Sequence, residues 1–218
     1  MTDPSLAPTR FIDSDHPDIT AFAARHAGDG DTRSQAVALA AAVRDAVPYS
    51  VYAFGIEPEM LTASKVLRAE KSFCVPKAVL LAAVARAAGI PSRIGFADVR
   101  NHLAPARFEQ LMDTPDFRWH AYTALQIDGR WLKATPAFDA ALCARNGVEP
   151  LAFDGTQDSI FQPYDAQGRR AMEYLQFHGE FDDLPYARFS AEMQRIYPRL
   201  LATLAAERQA RAAETPRT

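Results

Sequence analysis

Residues 74–93 read CVPKAVLLAAVARAAGIPSR, and the strongest structural signals of the chain lie in this segment. Residues 78–85 are all apolar, which predicts a helix with a buried face of mostly small side chains. Pro76 lies in the first turn, where the missing amide hydrogen of proline is tolerated. Gly89 lies just past the last turn, where glycine commonly ends a helix. We therefore predict a core helix over residues 74–88 that begins at a cysteine.

The chain before this helix is predicted to be mainly helical. Apolar residues at helical spacing predict helices over Asp18–Ala27 and Thr32–Ala46, with a Gly/Asp-rich turn between them. Residues 49–54 are β-prone, and Met60–Ala69 is predicted as a further short helix. Residues 1–17 are polar and contain prolines, which favours an extended arm.

After Pro91 the pattern changes to strands. Arg93–Val99 is predicted as one strand, and His120–Ile127 and Arg130–Ala134 as a hairpin joined by an Asp-Gly turn. Residues 100–118 are interpreted as a long loop of the kind that often covers a functional site. Two further helices are predicted, over Met172–Phe177 and Phe189–Arg211. We expect a single α+β domain over residues 1–211, with the cysteine helix packed on a small antiparallel sheet, and a disordered tail over 212–218.

Composition limits the classes of function. The 218-residue chain carries a net charge of -3, which gives no electrostatic basis for binding nucleic acid or an anionic membrane surface. No stretch approaches the roughly 20 apolar residues of a membrane helix, and residues 1–10 do not resemble a signal peptide, so we expect a cytoplasmic protein. Two cysteines without metal-ligand spacing predict neither a disulfide framework nor a metal site.

Cys74 and His120 are the candidate catalytic residues. A helix N-terminus supplies about half a positive elementary charge together with unpaired amides, which favours a thiolate at Cys74 and offers hydrogen bonds to an oxyanion. Lys71 and Lys77 flank the cysteine and add positive potential. His120 begins a strand directly after Trp119, which places an imidazole on a rigid edge where it can act as the base.

The residues around this pair are similar to a known family. Cys74 to Arg93 resembles the core of the transglutaminase-like superfamily, in which a cysteine opens an apolar helix and Gly-Ile-Pro-x-Arg leads into a strand. His120-Ala121-Tyr122 and the Gly-x-Trp segment at 129–131 resemble the histidine strand and hairpin of that family. The resemblance covers residues 45–140, and residues 131–139, WLKATPAFD, resemble a bacterial subgroup. It implies a papain-like fold, a Cys-His-Asp triad and no cofactor.

Two positions depart from the family pattern. The residue before the cysteine is often glycine in the family, whereas Phe73 stands here and can narrow the approach to the thiol. The family aspartate usually precedes a proline four residues after the hairpin tryptophan, and this position is Thr135. Thr135 can accept a hydrogen bond from His120 but carries no charge. We therefore take Asp139, four residues further on, as the candidate third catalytic residue.

The resemblance implies a peptidase or amidase whose Cys74 attacks a peptide or protein carboxamide and forms a thioester intermediate. The alternatives are a catalytically impaired binding module on the same fold, a protein-crosslinking transglutaminase, and an arylamine acyltransferase-like enzyme. Arg93, Trp131 and Cys143 are interpreted as structural, while Trp119 suits either the core or the wall of a cleft. The sequence leaves the oligomeric state open.

Overall fold

The computed structural model describes residues 3–102, 105–160 and 172–214 of the chain. Its centre is helix α5, Cys74–Ala87, whose side chains from Val75 to Arg86 are all buried. A helix that is apolar on every side must be covered on every side. Gly89 follows it at φ +78°, so the predicted glycine cap is confirmed.

Helices cover one side of α5. Asp31 caps α2 by accepting the amide of Ser34, and α2 begins and ends where the sequence predicts. The helices on this side are α1 (Pro17–His26), α2 (Thr32–Ala46), α3 (Pro58–Leu61) and α4 (Ala63–Val66).

A sheet covers the other side of α5. Within the described residues it has four strands in the order β3-β2-β1-β4, and every adjacent pair is antiparallel. Asp128 and Gly129 form the hairpin turn with φ of 51° and 76°, as their sequence predicts. The strands are β1 (Ser92–Asn101), β2 (Asp116–Ile127), β3 (Arg130–Ala134) and β4 (Met172–Phe181).

The remaining helices lie around the sheet. They are α6 (Ala106–Met112), α7 (Ala140–Asn146), α8 (Tyr186–Ile196) and α9 (Pro198–Glu214). The α+β prediction, with the cysteine helix on a small antiparallel sheet, is confirmed. Among the described residues, none of the helices combines the length and the apolar character needed to span a bilayer.

Several local predictions are wrong. The interval 100–118 is not one loop, because β1 reaches Asn101, α6 follows and β2 begins at Asp116; residues 103 and 104 lie outside the described residues. Met172–Phe177 belongs to strand β4 and not to a helix. The predicted helix over Phe189–Arg211 is two helices, because Pro198 opens a second one.

Three smaller differences concern shorter segments. The β-prone residues 49–54 form a 3-10 turn, Val51–Ala53, and a single bridge between Tyr49 and Ser72. The predicted helix over Met60–Ala69 is divided into α3 and α4. Helix α9 continues to Glu214, beyond the point where the tail was expected to begin, and residues 215–218 lie outside the described residues.

Candidate active site

Cys74 is the first residue of α5, as predicted. Phe73 precedes it with an extended backbone and forms no side-chain cap, so the first-turn amides are not satisfied by a capping side chain. The thiol receives hydrogen bonds from the backbone amides of Ala121, Val75 and Cys74 itself. A helix tip and strand β2 therefore meet at the sulfur.

The surroundings of the thiol favour its neutral form. Cys74 is half-buried, and the dense packing around it raises the pKa of the thiol to about 11, because burial outweighs the three amide donors. The expected stabilisation of a thiolate by the helix tip is present as these hydrogen bonds, yet it is smaller than the cost of desolvation.

Lys77 binds backbone carbonyls instead of adding positive potential beside the thiol, as its position in the sequence suggested. The side chain is fully buried, and Nζ donates to the carbonyl oxygens of Arg44, at 2.7 Å, and Val47. These carbonyls lie at the C-terminal end of α2, so Lys77 joins α2 to α5. Burial lowers the pKa of Lys77 to about 8. Lys71 is exposed, where a charge is largely screened.

His120 lies on β2, where it is paired with Ala97 of β1. The residue is buried, and burial lowers the pKa of the imidazole to about 4. The ring is therefore neutral at pH 7 and able to accept a proton. The next residue along the strand, Ala121, supplies one of the amides that bond to the Cys74 sulfur.

Cys74 and His120 border the same small cavity, of about 40 Å³, which we call the Cys74 cavity. Apart from these two residues and Arg118, its lining is apolar and largely aromatic. Trp119 forms part of the cavity wall, which is one of the two roles, core or wall, that the sequence leaves open for it. The lining is Tyr49, Val51, Phe54, Phe73, Val75, Phe108, Met112, Phe117, Trp119, Phe189, Met193, Tyr197 and Leu200.

The two departures from the family pattern have visible consequences. Phe73 is buried edge-on against Phe54, with ring centroids 5.2 Å apart, and it occupies space beside the thiol. Thr135 is buried, and its hydroxyl bonds to no group within the described part of the chain. It borders a different cavity, of about 190 Å³, between α2 and residues 151–159. The hydrogen bond to His120 that its position allows is therefore not formed.

Asp139 caps helix α7 and accepts the backbone amide of Tyr49, whose side chain lines the Cys74 cavity, but Asp139 itself does not line that cavity. One carboxylate oxygen accepts the amide of Leu142 at 2.9 Å, and the other accepts the amide of Tyr49 at 2.7 Å. Burial opposes ionisation, but the amides of Tyr49 and Leu142 and the charge of Lys77 outweigh it, so the pKa of Asp139 lies below its ordinary value. Asp139 is thus a buried, ionised carboxylate.

Sequence reasoning missed Tyr49. It lies in the Cys74 cavity, and its ring meets Phe138 edge-on at 4.8 Å. Burial, and after it the proximity of Cys74, raises the pKa of the phenol well above its usual range. The backbone bridge between Tyr49 and Ser72 brings this residue beside the segment that leads to Cys74. No local sequence pattern predicts this bridge between Tyr49 and Ser72.

The structural interpretations of three other residues fit their surroundings. Arg93 pairs with Asp182 at 3.0 Å and lies over the ring of Trp131 at 4.4 Å. Cys143 is buried on α7, and burial raises the pKa of its thiol. Unlike Cys74, this cysteine does not border the cavity that His120 lines.

Comparison with known proteins identifies the family. The family model described as the transglutaminase-like superfamily matches residues 20–136, more than half of the chain. The chain therefore belongs to the transglutaminase-like superfamily, and the α+β core described above is its papain-like fold.

A search of curated proteins found no match. Among solved structures, the chain is similar to a putative cysteine protease from Cytophaga hutchinsonii, at 18% sequence identity and a TM-score of 0.48. The alignment covers 81% of this chain and 53% of that one, so the chain spans about half the length of that protein.

Proposed function

We propose that the protein is a cysteine hydrolase of transglutaminase-like type, a peptidase or amidase that acts by acyl transfer. Cys74 is the proposed nucleophile, His120 the proposed base and Asp139 the proposed third member. The observation that carries the proposal is a thiol at an uncapped helix tip that shares a cavity with a buried neutral imidazole. The substrate would be the amide bond of a peptide or protein, and the chemistry uses no cofactor.

In the first half of the reaction the sulfur of Cys74 attacks the carbonyl carbon while His120 accepts the thiol proton. The amides that bond to the sulfur in the resting state are the proposed donors to the developing oxyanion. The C–N bond then breaks, the imidazolium donates its proton to the leaving amine, and a thioester remains. Water attacks the thioester with His120 as base, and an acid and the free thiol are formed.

The pKa directions favour proton transfer during attack over a resting ion pair. Burial raises the pKa of Cys74 and lowers that of His120, so both groups are neutral at pH 7. A neutral imidazole is the form that can take the thiol proton as the sulfur reacts. Entry of substrate carries the polar carbonyl into an apolar cavity, where the amide donors act at low dielectric.

Asp139 is proposed to stabilise the imidazolium that forms during attack. Its carboxylate is buried and ionised, and each oxygen keeps a second lone pair beyond the amide that it accepts. Thr135 cannot supply this charge. We therefore assign this role to Asp139, an ionised group that accepts the backbone amide of Tyr49.

The test is the rate of Cys74 alkylation by iodoacetamide between pH 5 and 10, followed by peptide mass spectrometry. Compared with His120→Ala, the wild-type chain is expected to react at least about tenfold faster at pH 7, because a base within reach assists loss of the proton. Cys143→Ser is the matched control, since the remaining cysteine should keep the wild-type profile.

Hydrolysis is tested in the same variants with a peptide mixture by the appearance of new amino groups. Cys74→Ala is expected to abolish it, and Cys143→Ser to leave it unchanged. Identical alkylation profiles for the wild type and His120→Ala would remove the enzyme proposal.

The alternative is a catalytically impaired binding module on the same fold. Two observations favour it: burial raises the pKa of Cys74 to about 11, and an uncharged threonine stands at the usual aspartate position. A binding module predicts slow Cys74 alkylation at pH 7 that His120→Ala does not change. A crosslinking transglutaminase would instead keep the His120-dependent reactivity and transfer the acyl group to an added amine.

A further inference from the structure

The strand that carries His120 is irregular directly before that residue. Along β1 and β2, Ala97 pairs with His120 and Val99 pairs with Phe117, so one residue of β1 faces two residues of β2. Trp119, the second of those two, has φ +59°. The left-handed region is rare for a bulky side chain and persists only where the surroundings hold it.

A buried carboxylate holds this bulge. Asp98, the single residue opposite it, is only 3% exposed. One of its oxygens accepts the backbone amide of Trp119 at 3.0 Å, and the other accepts Nη1 of Arg118 at 2.8 Å. Asp98 therefore binds the backbone of the left-handed residue itself.

The same carboxylate also holds the Trp119 ring, through His178. Nε2 of His178 lies 2.7 Å from Asp98 Oδ1, and the His178 ring stacks on the indole at 5.1 Å and 11°. Strand β4 bulges where it carries His178, since Phe96 pairs with Gly179 and Ala97 with Phe177. Asp98 thus bonds to the bulges of both strands that flank β1, at Trp119 on β2 and at His178 on β4.

The consequence for the site follows from the chain order. Trp119 immediately precedes His120, and its indole lines the Cys74 cavity. A bulge re-aims the side chains that follow it, and bulges often occur beside active sites for that reason. With Trp119 in an ordinary extended conformation, the chain direction at His120 would differ.

We propose that Asp98 is a positioning residue that fixes the Trp119 bulge and thereby aims His120 into the Cys74 cavity. This inference rests on the proposed function, because it requires His120 to act on Cys74. Asp98 acts through Trp119 and His178 and does not touch the reacting atoms. This role also explains why an aspartate stands between the buried apolar residues Ala97 and Val99 of β1.

The test compares Asp98→Asn with Asp116→Asn by iodoacetamide alkylation of Cys74 across pH 5–10. Asp116 pairs with the same Arg118, at 3.2 Å, and its side chain makes no contact with Trp119 that the structure describes, so it is the matched control. Asp98→Asn is expected to lower the His120-dependent rate about 10- to 100-fold, because the asparagine amide cannot accept from both Arg118 and Trp119, and small misplacements of a base are costly. Asp116→Asn is expected to stay within about twofold of the wild type, as a residue outside the site should.

Urea unfolding of both variants separates positioning from general loss of structure. A folded Asp98→Asn protein with the wild-type alkylation profile would overturn the proposal. If Asp98→Asn does not fold, His178→Gln provides the second measurement, because it keeps a donor for Asp98 and removes the ring that stacks on Trp119. An unchanged profile in folded His178→Gln would then overturn it.

The reference variant His120→Ala distinguishes failure of the proposed function from failure of the proposed role of Asp98. If His120→Ala reacts like the wild type, the proposed function itself fails. If His120→Ala is slow while folded Asp98→Asn reacts like the wild type, the function stands and only the role of Asp98 fails.

Discussion

Asp139 accepts hydrogen bonds from two backbone amides, and its substitution should affect the two bonds differently. Asparagine caps helices about as well as aspartate, so the bond to Leu142 can survive in Asp139→Asn. The amide nitrogen of asparagine would then face the Tyr49 amide, leaving a buried donor without its acceptor. We expect Asp139→Asn to lower the free energy of unfolding by about 1–3 kcal/mol and to slow Cys74 alkylation severalfold at pH 7.

Asp45→Asn is the control for that change. Asp45 accepts the amide of Ala140 at 2.9 Å, at the same end of α7, but the amide of Tyr49 bonds to Asp139 and not to Asp45. We expect this variant to alter stability alone. Wild-type alkylation in Asp139→Asn would remove Asp139 from the mechanism and leave it a purely structural role.

Among single residues, the sequence predicts only those candidate site residues that carry a local signal. Cys74 stands at a helix start marked by Pro76, and His120 stands at the head of an alternating strand. Asp98 and Tyr49 bond to residues about 20 or more positions away, and no spacing rule predicts such contacts. The signal for Asp98 is a charge between apolar neighbours on a strand, because a charge that is buried there must find a partner.

Among the elements, β1 is the strand on which the site depends, and a close approach fixes its packing. A Cβ on Gly95 would lie 2.2 Å from Cζ of Tyr122, its partner on β2, so the buried phenol ring occupies the space above the glycine. We expect Gly95→Ala to lower the free energy of unfolding by about 1–3 kcal/mol, because the ring must move within a packed layer. Urea denaturation measures the change.

A double-mutant cycle identifies the cause. In a Tyr122→Ala background the ring is absent, so Gly95→Ala is expected to cost much less than in the wild type. Equal costs in the two backgrounds would show that the ring is not the obstacle.

Element prediction succeeded where apolar periodicity was strong and failed where burial was partial. Helices α2 and α5 were predicted nearly residue for residue, because caps and breakers marked both ends. Residues Met172–Phe177 predict a helix where strand β4 lies, because this outer strand is only partly buried and lacks a clean apolar-polar alternation. Helix α6 was missed because its seven residues give too short a pattern.

For the whole molecule, the buried imidazole predicts a dependence of stability on acid. Burial lowers the pKa of His120 from 6.5 to about 4, so between these values the unfolded chain binds a proton that the folded protein does not. Stability from this residue is complete above pH 6.5 and falls as the pH drops to about 4, below which the loss is constant. The expected loss is about 3 kcal/mol.

Urea unfolding of the wild type and His120→Gln at pH 7 and pH 4.5 measures this effect. Carboxylates contribute to acid unfolding in both proteins, so the difference between the two isolates the histidine. We expect His120→Gln to lose clearly less stability on acidification. Parallel losses in the two proteins would contradict a buried neutral imidazole.

The desolvated surroundings of Cys74 also govern its chemistry outside turnover. Hydrogen peroxide and heavy metals react with the sulfur anion, and burial keeps that anion scarce. We therefore expect hydrogen peroxide to oxidise Cys74 more slowly than an exposed cysteine of ordinary pKa.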